Sequence, residues 1–213
     1  MTPRAVYVAA LNRAGILADL GDALHREPYL RPPVAPILHL KPANTWIGPG
    51  DPIPCPPGVS HLRIGGTIGL VIGRTARRVS AEEALDHVTG LTLCHDVSIR
   101  YQSHYRPAIK QRCRDGFCPI GETAPLPAGL DPDRLEVTIE INGVVRSRST
   151  GADLVRGAAT LLAEVSRFIT FEPGDLLLLG EPSDAPVAAP GDRVRITAPG
   201  IAPLENPILE AAP

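Results

Sequence analysis

Aromatic side chains are scarce in this sequence of 213 residues, where they make up only 4% of the chain. The core must therefore be built from Val, Ile, Leu and Ala. The four cysteines include no pair with the Cys-x-x-Cys spacing of a zinc site, which favours reduced thiols over a structural metal. A chain of this length forms one domain that buries roughly 70% of its unfolded surface, so folding requires neither disulfides nor a metal.

A strong net charge and long apolar runs are also absent. The formal net charge is −2, which does not favour a nucleic acid partner. No stretch approaches the roughly 20 apolar residues of a membrane-spanning helix. The first residues also lack the basic start and apolar run of a signal peptide. We therefore expect a cytoplasmic protein that works without a membrane or nucleic acid partner.

Proline and glycine are abundant, at 24 and 20 residues, and they separate many short apolar segments. Alternating or continuous apolar runs predict strands, and a spacing of three to four predicts helices. The predicted strands are residues 6–11, 37–40, 67–73, 90–97, 135–141, 144–148, 176–179 and 193–197, and the predicted helices are residues 14–25, 80–88 and 152–168. Residues 108–121 have no clear period and are predicted to form a functional loop. Together these elements indicate a strand-rich α+β fold.

Two local motifs support particular elements. The pair Asn142-Gly143 follows a run of alternating apolar and polar residues, and it is the strongest short signal for a β-hairpin. Ser80 followed by Glu83 is the pattern of a capping box at a helix start.

Several segments together resemble the fumarylacetoacetate hydrolase superfamily, in order and spacing from about Lys41 to Asn206. The matching segments are Leu40-Lys41-Pro42, Gly48-Pro49-Gly50-Asp51-Pro52-Ile53, Leu70-Val71-Ile72-Gly73-Arg74, His95-Asp96-Val97-Ser98-Ile99-Arg100, Gly180-Glu181-Pro182 and Pro190-Gly191-Asp192. The resemblance implies a mixed β-roll and, in most members, a divalent metal. It also implies a catalytic-type domain over residues 41–213, with residues 1–40 as a strand and helix extension packed on the core.

Within that superfamily, the segment Arg106-Pro107-Ala108-Ile109-Lys110 and the residues 113–122 resemble the N-terminal half, or N-terminal subunit, of the bifunctional isomerase/decarboxylases of homoprotocatechuate catabolism. The resemblance implies decarboxylation of 5-carboxymethyl-2-oxo-hex-3-ene-1,7-dioate and isomerisation of 2-hydroxyhepta-2,4-diene-1,7-dioate to 2-oxohept-3-ene-1,7-dioate. Both reactions pass through a dienolate. The implied partners are this small dicarboxylate and a second subunit, in a homodimer or in a heteromer with a paralogous chain.

The metal site implied by the resemblance is incomplete. Family members hold Mg²⁺ or Mn²⁺ with a Glu-x-Glu pair and the Asp of the central motif. Asp96 matches that Asp, whereas the two Glu positions fall on Gly65 and Thr67. Because Mg²⁺ binds to as few as one or two carboxylates together with substrate and water, this departure weakens the site and leaves binding by this chain alone in question.

The resemblance also implies roles for charged residues. Arg100 matches an arginine that grips the oxo-acid end of the substrate. Arg112 stands at a catalytic lysine position, where it can bind anions but cannot act as a base. Lys41 is either a contact for a substrate carboxylate or part of a structural ion pair. Glu181 stands at a Thr position, as a replacement ligand, an isomerase acid/base or a loop carboxylate.

Other residues near the motif have weaker predictions. Arg106 and Tyr105 are expected to bind substrate, and His104 and Tyr101 either line the pocket or lie on the surface. His95 precedes Asp96 on a predicted strand, so their side chains point to opposite faces and His95 is predicted to be a core residue.

Two functional hypotheses remain open. In the first, the chain is an isomerase or decarboxylase acting on a seven-carbon dicarboxylate, with Asp96, Arg112 and Glu181 in the catalytic set. In the second, which rests on Gly65 and Thr67, it is a degenerate subunit that supports a metal-bearing paralogue.

Overall fold

The computed structural model describes residues 2–101 and 104–211. The strands of this part of the chain are β1 Val6–Ala10, β2 Ile37–Leu40, β3 Trp46–Ile47, β4 Ile53–Cys55, β5 Leu62–Ile72, β6 Val88–Ser98, β7 Cys118–Pro119, β8 Ala124–Pro125, β9 Val137–Ile141, β10 Val144–Ser149, β11 Leu176–Leu178, β12 Val187–Ala188, β13 Arg193–Ala198 and β14 Ile201–Glu210. The α-helices are α1 Ala14–Leu20, α2 Ile109–Arg112 and α3 Ala158–Ser166, and short 3-10 helices are Gly21–His25, Ala43–Thr45, Ala84–His87, Pro132–Arg134 and Gly151–Asp153.

Two large sheets form most of the fold. In the described residues the first has the order β2-β1-β11-β5-β6-β8, with β12 also paired to β5. The second has the order β10-β9-β13-β14-β4, and β3 pairs separately with β7. The sheets are mixed, because β1 runs parallel to β11 and β14 runs parallel to β4 whereas the other pairs of these two sheets are antiparallel. The predicted strand-rich α+β fold with three helices is confirmed.

The long antiparallel pair β5 and β6 is the centre of the molecule. One core cluster joins Leu70 and Ile72 of β5 with Leu161, Leu162 and Val165 of α3, all of them at most 1% exposed. Burying one such side chain contributes about 1.5–3 kcal/mol. The aliphatic composition therefore suffices to fix α3 on the sheet, as the scarcity of aromatics predicts.

The hairpin prediction is confirmed in detail. β9 and β10 pair antiparallel around Asn142 and Gly143, which have φ angles of 52° and 75°. Such left-handed angles at both central residues are what a type I′ turn requires. By contrast, β14 was not predicted, because Pro203 and Pro207 interrupt its sequence and proline in a strand argues against pairing.

The predicted helices are shorter in the structure. Residues 14–25 form α1 only as far as Leu20, and the chain continues as a 3-10 helix from Gly21, where φ is 44°. Residues 80–88 form only the 3-10 helix Ala84–His87, although the Glu83 amide donates to Ser80 Oγ as the capping pattern requires.

The third helix begins later than its apolar spacing predicts. α3 starts at Ala158, whose amide donates to both carboxylate oxygens of Asp133, at 2.9 and 3.1 Å. An added Cβ at Gly157 would lie 2.1 Å from Asp133 Oδ2, so glycine leaves room for this contact. The helix start is thus set by a residue 25 positions away, which no local pattern reveals.

The N-terminal segment contributes directly to the large sheet, since β1 pairs with β11 and β2 pairs with β1. A division of the chain at residue 40 stays a prediction. Within the described residues, we find no helix with the length and apolar character needed to cross a membrane.

His95 is a core residue, as predicted. It is fully buried on β6 opposite Gly66, whose missing side chain faces Ile139 and Ile196 of the second sheet. Neither ring nitrogen has a hydrogen-bond partner in the described part of the chain. Burial lowers the pKa of His95 to about 3, so the folded protein keeps this ring neutral.

This buried histidine predicts a loss of stability in acid. The unfolded chain takes up a proton near pH 6.5, while the folded chain does not until about pH 3. The contribution of His95 to the free energy of unfolding should therefore fall by about 1.4 kcal/mol per pH unit between roughly pH 6 and pH 4. We expect urea unfolding of His95→Leu to depend less on pH by this amount. Equal pH dependence in the two proteins would contradict the assignment.

Candidate active site

The β5–β6 register places Gly65 opposite Asp96. The space above Gly65 is filled by Glu181, which follows β11 in the chain: an added Cβ at residue 65 would lie 2.7 Å from Glu181 Cβ and 2.9 Å from Glu181 Oε2. Gly180, with φ of 110°, takes a backbone conformation that suits glycine and directs the chain into this turn. Glycine at residue 65 and glutamate at residue 181 are therefore sterically complementary.

Asp96 is a fully buried carboxylate surrounded by positive groups. Its Oδ2 accepts a hydrogen bond from Arg112 Nη1 at 2.6 Å and lies 3.4 Å from His39 Nε2, while Oδ1 lies 2.8 Å from Lys41 Nζ. Burial acts to raise the pKa of Asp96, but Arg112, Lys41 and His39 together lower it well below its usual range. Asp96 is therefore ionised, and both of its oxygens are engaged.

Lys41 lies in the interior rather than on a pocket wall. Its side chain is 0% exposed, and Nζ donates to the carbonyls of Val97, Arg112 and Phe117 at 2.7, 2.9 and 3.0 Å. An ammonium has three hydrogens, so its contact with Asp96 Oδ1 is a charge contact without a hydrogen of its own. Of the two roles that the sequence left open for Lys41, this geometry favours the structural ion pair, and the contact with a substrate carboxylate stays a prediction.

Arg112 bridges the two carboxylates of the site. Nη1 donates to Asp96 and lies 3.2 Å from His39 Nε2, and Nη2 donates to Glu181 Oε1 at 2.5 Å. Nε and Nη2 both donate to the Tyr101 hydroxyl, and the guanidinium lies over the Tyr101 ring at 5.1 Å from its centroid. Four of the five N–H groups of Arg112 thus donate to oxygen atoms of the protein, and the fifth faces His39 Nε2. The residue ends α2, a short helix in the segment predicted to be a loop.

Glu181 is held from two sides. Besides Arg112, Arg63 Nε donates to Glu181 Oε2 at 3.0 Å. Arg63 Nη2 continues to the carbonyls of Pro182 and Ser183 at 3.2 and 3.1 Å, which fixes the loop that carries Glu181. The carboxylate is 8% exposed, so it is a buried member of the cluster and not a solvent-facing loop residue.

Two cavities adjoin this charge cluster. The larger, of about 380 Å³, has mostly apolar walls, and its polar lining residues are His39, Tyr101, His104, Tyr105, Arg106 and Arg112. The smaller, of about 240 Å³, is lined by charged residues that include Asp19, Arg63, Arg100 and Glu181. Tyr101 and His104 line both cavities, so they stand at the boundary between them.

The predicted substrate-binding residues are thus divided between the cavities. Arg106 and Tyr105 line the larger one and Arg100 lines the smaller one. All three are exposed, which leaves their roles as predictions.

The neutral groups at the boundary have shifted pKa values. Burial lowers the pKa of His39 and outweighs the opposing effect of Asp96. Burial, followed by the charge of Arg112, lowers the pKa of His104. Burial raises the pKa of Tyr101. At neutral pH the cavity therefore presents two uncharged imidazoles and a protonated phenol beside the ionic cluster.

His39 is a site residue that the sequence reasoning missed. A usable signal existed, because side chains two residues apart on a strand point to the same face. His39 therefore shares the face of Lys41, and Lys41 belongs to a matching family motif.

The residues present do not fit a divalent metal. Asp96 and Glu181 are already neutralised by Arg112, Lys41 and Arg63, and a dication would add positive charge where three cations face two carboxylates. In the described ranges, no three His, Cys, Asp or Glu side chains form a group that could hold a metal ion. Asp96 therefore has no further metal ligands beside it among the residues that the structure describes, and its expected metal-binding role stays a prediction.

The sequence has two lysines, Lys41 and Lys110. Because Lys41 belongs to a buried ion pair, its substitution should lower the free energy of unfolding far more than substitution of Lys110. Lys41→Met removes a cation and leaves three buried carbonyls and Asp96 without it. We expect a loss of about 3–5 kcal/mol in the free energy of unfolding, measured in urea. Lys110→Met changes an exposed lysine and should stay within about 0.5 kcal/mol of the parent. Similar small effects for both variants would contradict the structural role of Lys41.

A family model described as "Fumarylacetoacetate (FAA) hydrolase C-terminal" matches residues 5–209. Among curated proteins, the 4-hydroxyphenylacetate degradation bifunctional isomerase/decarboxylase of Escherichia coli is 45% identical over 205 residues, which cover 96% of this chain and 47% of that protein. The chain thus spans about half the length of this relative.

Two solved structures are also similar to this chain. The 2-hydroxyhepta-2,4-diene-1,7-dioate isomerase from Mycobacterium marinum has a TM-score of 0.81 at 30% identity, with 100% of this chain and 77% of that chain covered. Fumarylpyruvate hydrolase from Pseudomonas aeruginosa, solved with Mn²⁺ and pyruvate, has a TM-score of 0.82 at 24% identity over 98% of this chain and 91% of that chain. This second likeness shows the fold alone. The chain belongs to the fumarylacetoacetate hydrolase family.

Proposed function

We propose that this chain is a subunit of the homoprotocatechuate catabolic isomerase/decarboxylase and that its own reaction is the isomerisation. It would convert 2-hydroxyhepta-2,4-diene-1,7-dioate to 2-oxohept-3-ene-1,7-dioate. The observation that carries this proposal is the Arg112 bridge between Asp96 and Glu181, beside a cavity lined by neutral acid/base groups. The relatives named for this pathway and this substrate support it.

The charges of the site suit a dianionic ligand. Three permanent cations, Lys41, Arg63 and Arg112, surround the carboxylates of Asp96 and Glu181, so the cluster has a surplus of positive charge. Such a surplus in a partly dehydrated cleft attracts anions more strongly than it would in water.

The cavity walls add separate cations for the two ends of the substrate. Arg106 lines the larger cavity and Arg100 lines the smaller one. We place one terminal carboxylate near each, with the conjugated chain passing Tyr101 and His104. Arginine is well suited to hold carboxylates through paired hydrogen bonds.

The isomerisation needs only the relocation of a proton. The O–H bond at C2 breaks, the double bonds shift along the chain, and a C–H bond forms at C5. Neutral imidazoles suit this task because they accept and return protons near pH 7, and the cavity walls offer His39 and His104. Decarboxylation instead requires a strong electron sink, and the cations here are already paired. We therefore place any Mg²⁺- or Mn²⁺-dependent step on a paralogous half or subunit.

A degenerate supporting subunit is the second candidate. Gly65 and Thr67 favour it, since they cannot supply the carboxylates of the family pattern. In either case we propose a cytoplasmic protein that forms a homodimer or a heteromer with a paralogue.

The test is turnover by the purified chain alone. We expect conversion of 2-hydroxyhepta-2,4-diene-1,7-dioate, followed by proton NMR in D₂O, with deuterium incorporated at C5. We expect no release of CO₂ from 5-carboxymethyl-2-oxo-hex-3-ene-1,7-dioate. A control with the Escherichia coli relative establishes that the substrates are competent. Absence of isomerisation by this chain in that experiment would exclude an isomerase and leave the supporting subunit.

A further inference from the structure

We propose that His39 is the catalytic base and acid of this isomerisation and that the Asp96–Arg112 pair orients it. The inference rests on the proposed function and adds to it the residue that moves the proton. Three observations carry it: the contacts of Nε2, the exposure of the ring to the larger cavity, and the pairing of the charged side chains of the cluster with one another.

The first observation is the position of the ring. His39 Nε2 lies 3.4 Å from Asp96 Oδ2 and 3.2 Å from Arg112 Nη1. Both partners are fixed by a direct ion pair at 2.6 Å. A ring nitrogen held by a buried carboxylate sets the orientation of an imidazole and stabilises its protonated form. The same side chain lies on β2, a strand paired with β1 in the large sheet.

The second observation concerns the other ring nitrogen. His39 lines the larger cavity, and its side chain is 20% exposed. Nδ1 forms no hydrogen bond with the described part of the chain, and it is not among the buried polar atoms without a partner. Nδ1 is therefore the nitrogen that remains for exchange with a ligand in the cavity.

The third observation is that the charged residues of the cluster are already paired and are therefore poorly placed to transfer the proton. Arg112 donates to Asp96, Glu181 and Tyr101, Lys41 donates to three carbonyls, and both oxygens of Asp96 face cations. Glu181 is paired with both Arg63 and Arg112. The charged cluster thus supplies the electrostatic field, and a neutral imidazole at its edge is free to accept a proton.

The proton transfer balances within one imidazole. In the tautomer whose Nε2 hydrogen faces Asp96 Oδ2, neutral His39 takes the proton of the C2 hydroxyl on Nδ1, and the electron pair of that O–H bond forms the C2 carbonyl. The C2–C3 double bond moves to C3–C4, and the electrons of the C4–C5 double bond take a proton from the imidazolium at C5. The ring returns to its neutral state, and no oxidant or further reactant is needed.

The decisive experiment is chemical rescue of His39→Ala. We expect kcat to fall by about 10²–10⁴-fold, with KM within about threefold of the parent because the arginines are untouched. Because truncation leaves a hole in the cavity wall, added imidazole should restore a large part of kcat in a saturable manner. His39→Gln keeps a polar side chain and should be equally slow, since an amide cannot carry the proton.

Two controls separate this role from a structural one. His61→Ala alters an exposed histidine and should keep the parent kcat. His104→Ala also opens the cavity wall, but it should show no rescue by imidazole. Unchanged kcat in His39→Ala, or a loss that imidazole does not repair, would overturn the proposal. An inactive parent chain would instead overturn the proposed function.

Discussion

The guanidinium of Arg112 joins the parts of this molecule that must meet for a site to exist. Arg112 is the last residue of α2. Its guanidinium donates hydrogen bonds to Asp96 on β6, to Glu181 in the loop after β11 and to the Tyr101 hydroxyl. A buried charge of this kind is tolerated only when it is fully paired. The burial of Asp96 and Glu181 beside Arg112 meets that requirement.

The same requirement explains how the site departs from the family pattern. A glutamate at residue 65 would collide with Glu181, and the carboxylate at 181 in turn needs the positive charges of Arg112 and Arg63. The two carboxylates are thus neutralised by fixed side chains. The cluster favours an anionic ligand, which is the opposite of what a metal site of Asp and Glu residues favours.

Much of the fold follows from local pattern. The apolar runs locate β5, β6 and β11, and Asn142-Gly143 locates the hairpin. The exceptions depend on distant contacts: Asp133 sets the start of α3, and β14 forms in spite of Pro203 and Pro207 because strands on both sides pair with it.

In the candidate site, too, some features follow from sequence motifs and others depend on distant contacts. Motif matching singles out Asp96, Arg112 and Glu181, and the structure brings these three into contact. Sequence could not show that Lys41 faces inward, because a lysine pairs with solvent or with a buried carboxylate according to its tertiary environment. His39 lies outside the matching family segments, and although its spacing from Lys41 is a sequence signal, its contact with Asp96 depends on the tertiary structure.

We propose that protein cations, and not a divalent metal, hold the charge in this site. The most direct measurement is the isomerisation rate of the purified chain before and after exhaustive treatment with EDTA, together with the metal content of the protein. We expect an unchanged kcat and less than stoichiometric Mg²⁺ or Mn²⁺. Loss of activity on chelation, restored by Mn²⁺ and abolished in Asp96→Asn, would contradict it.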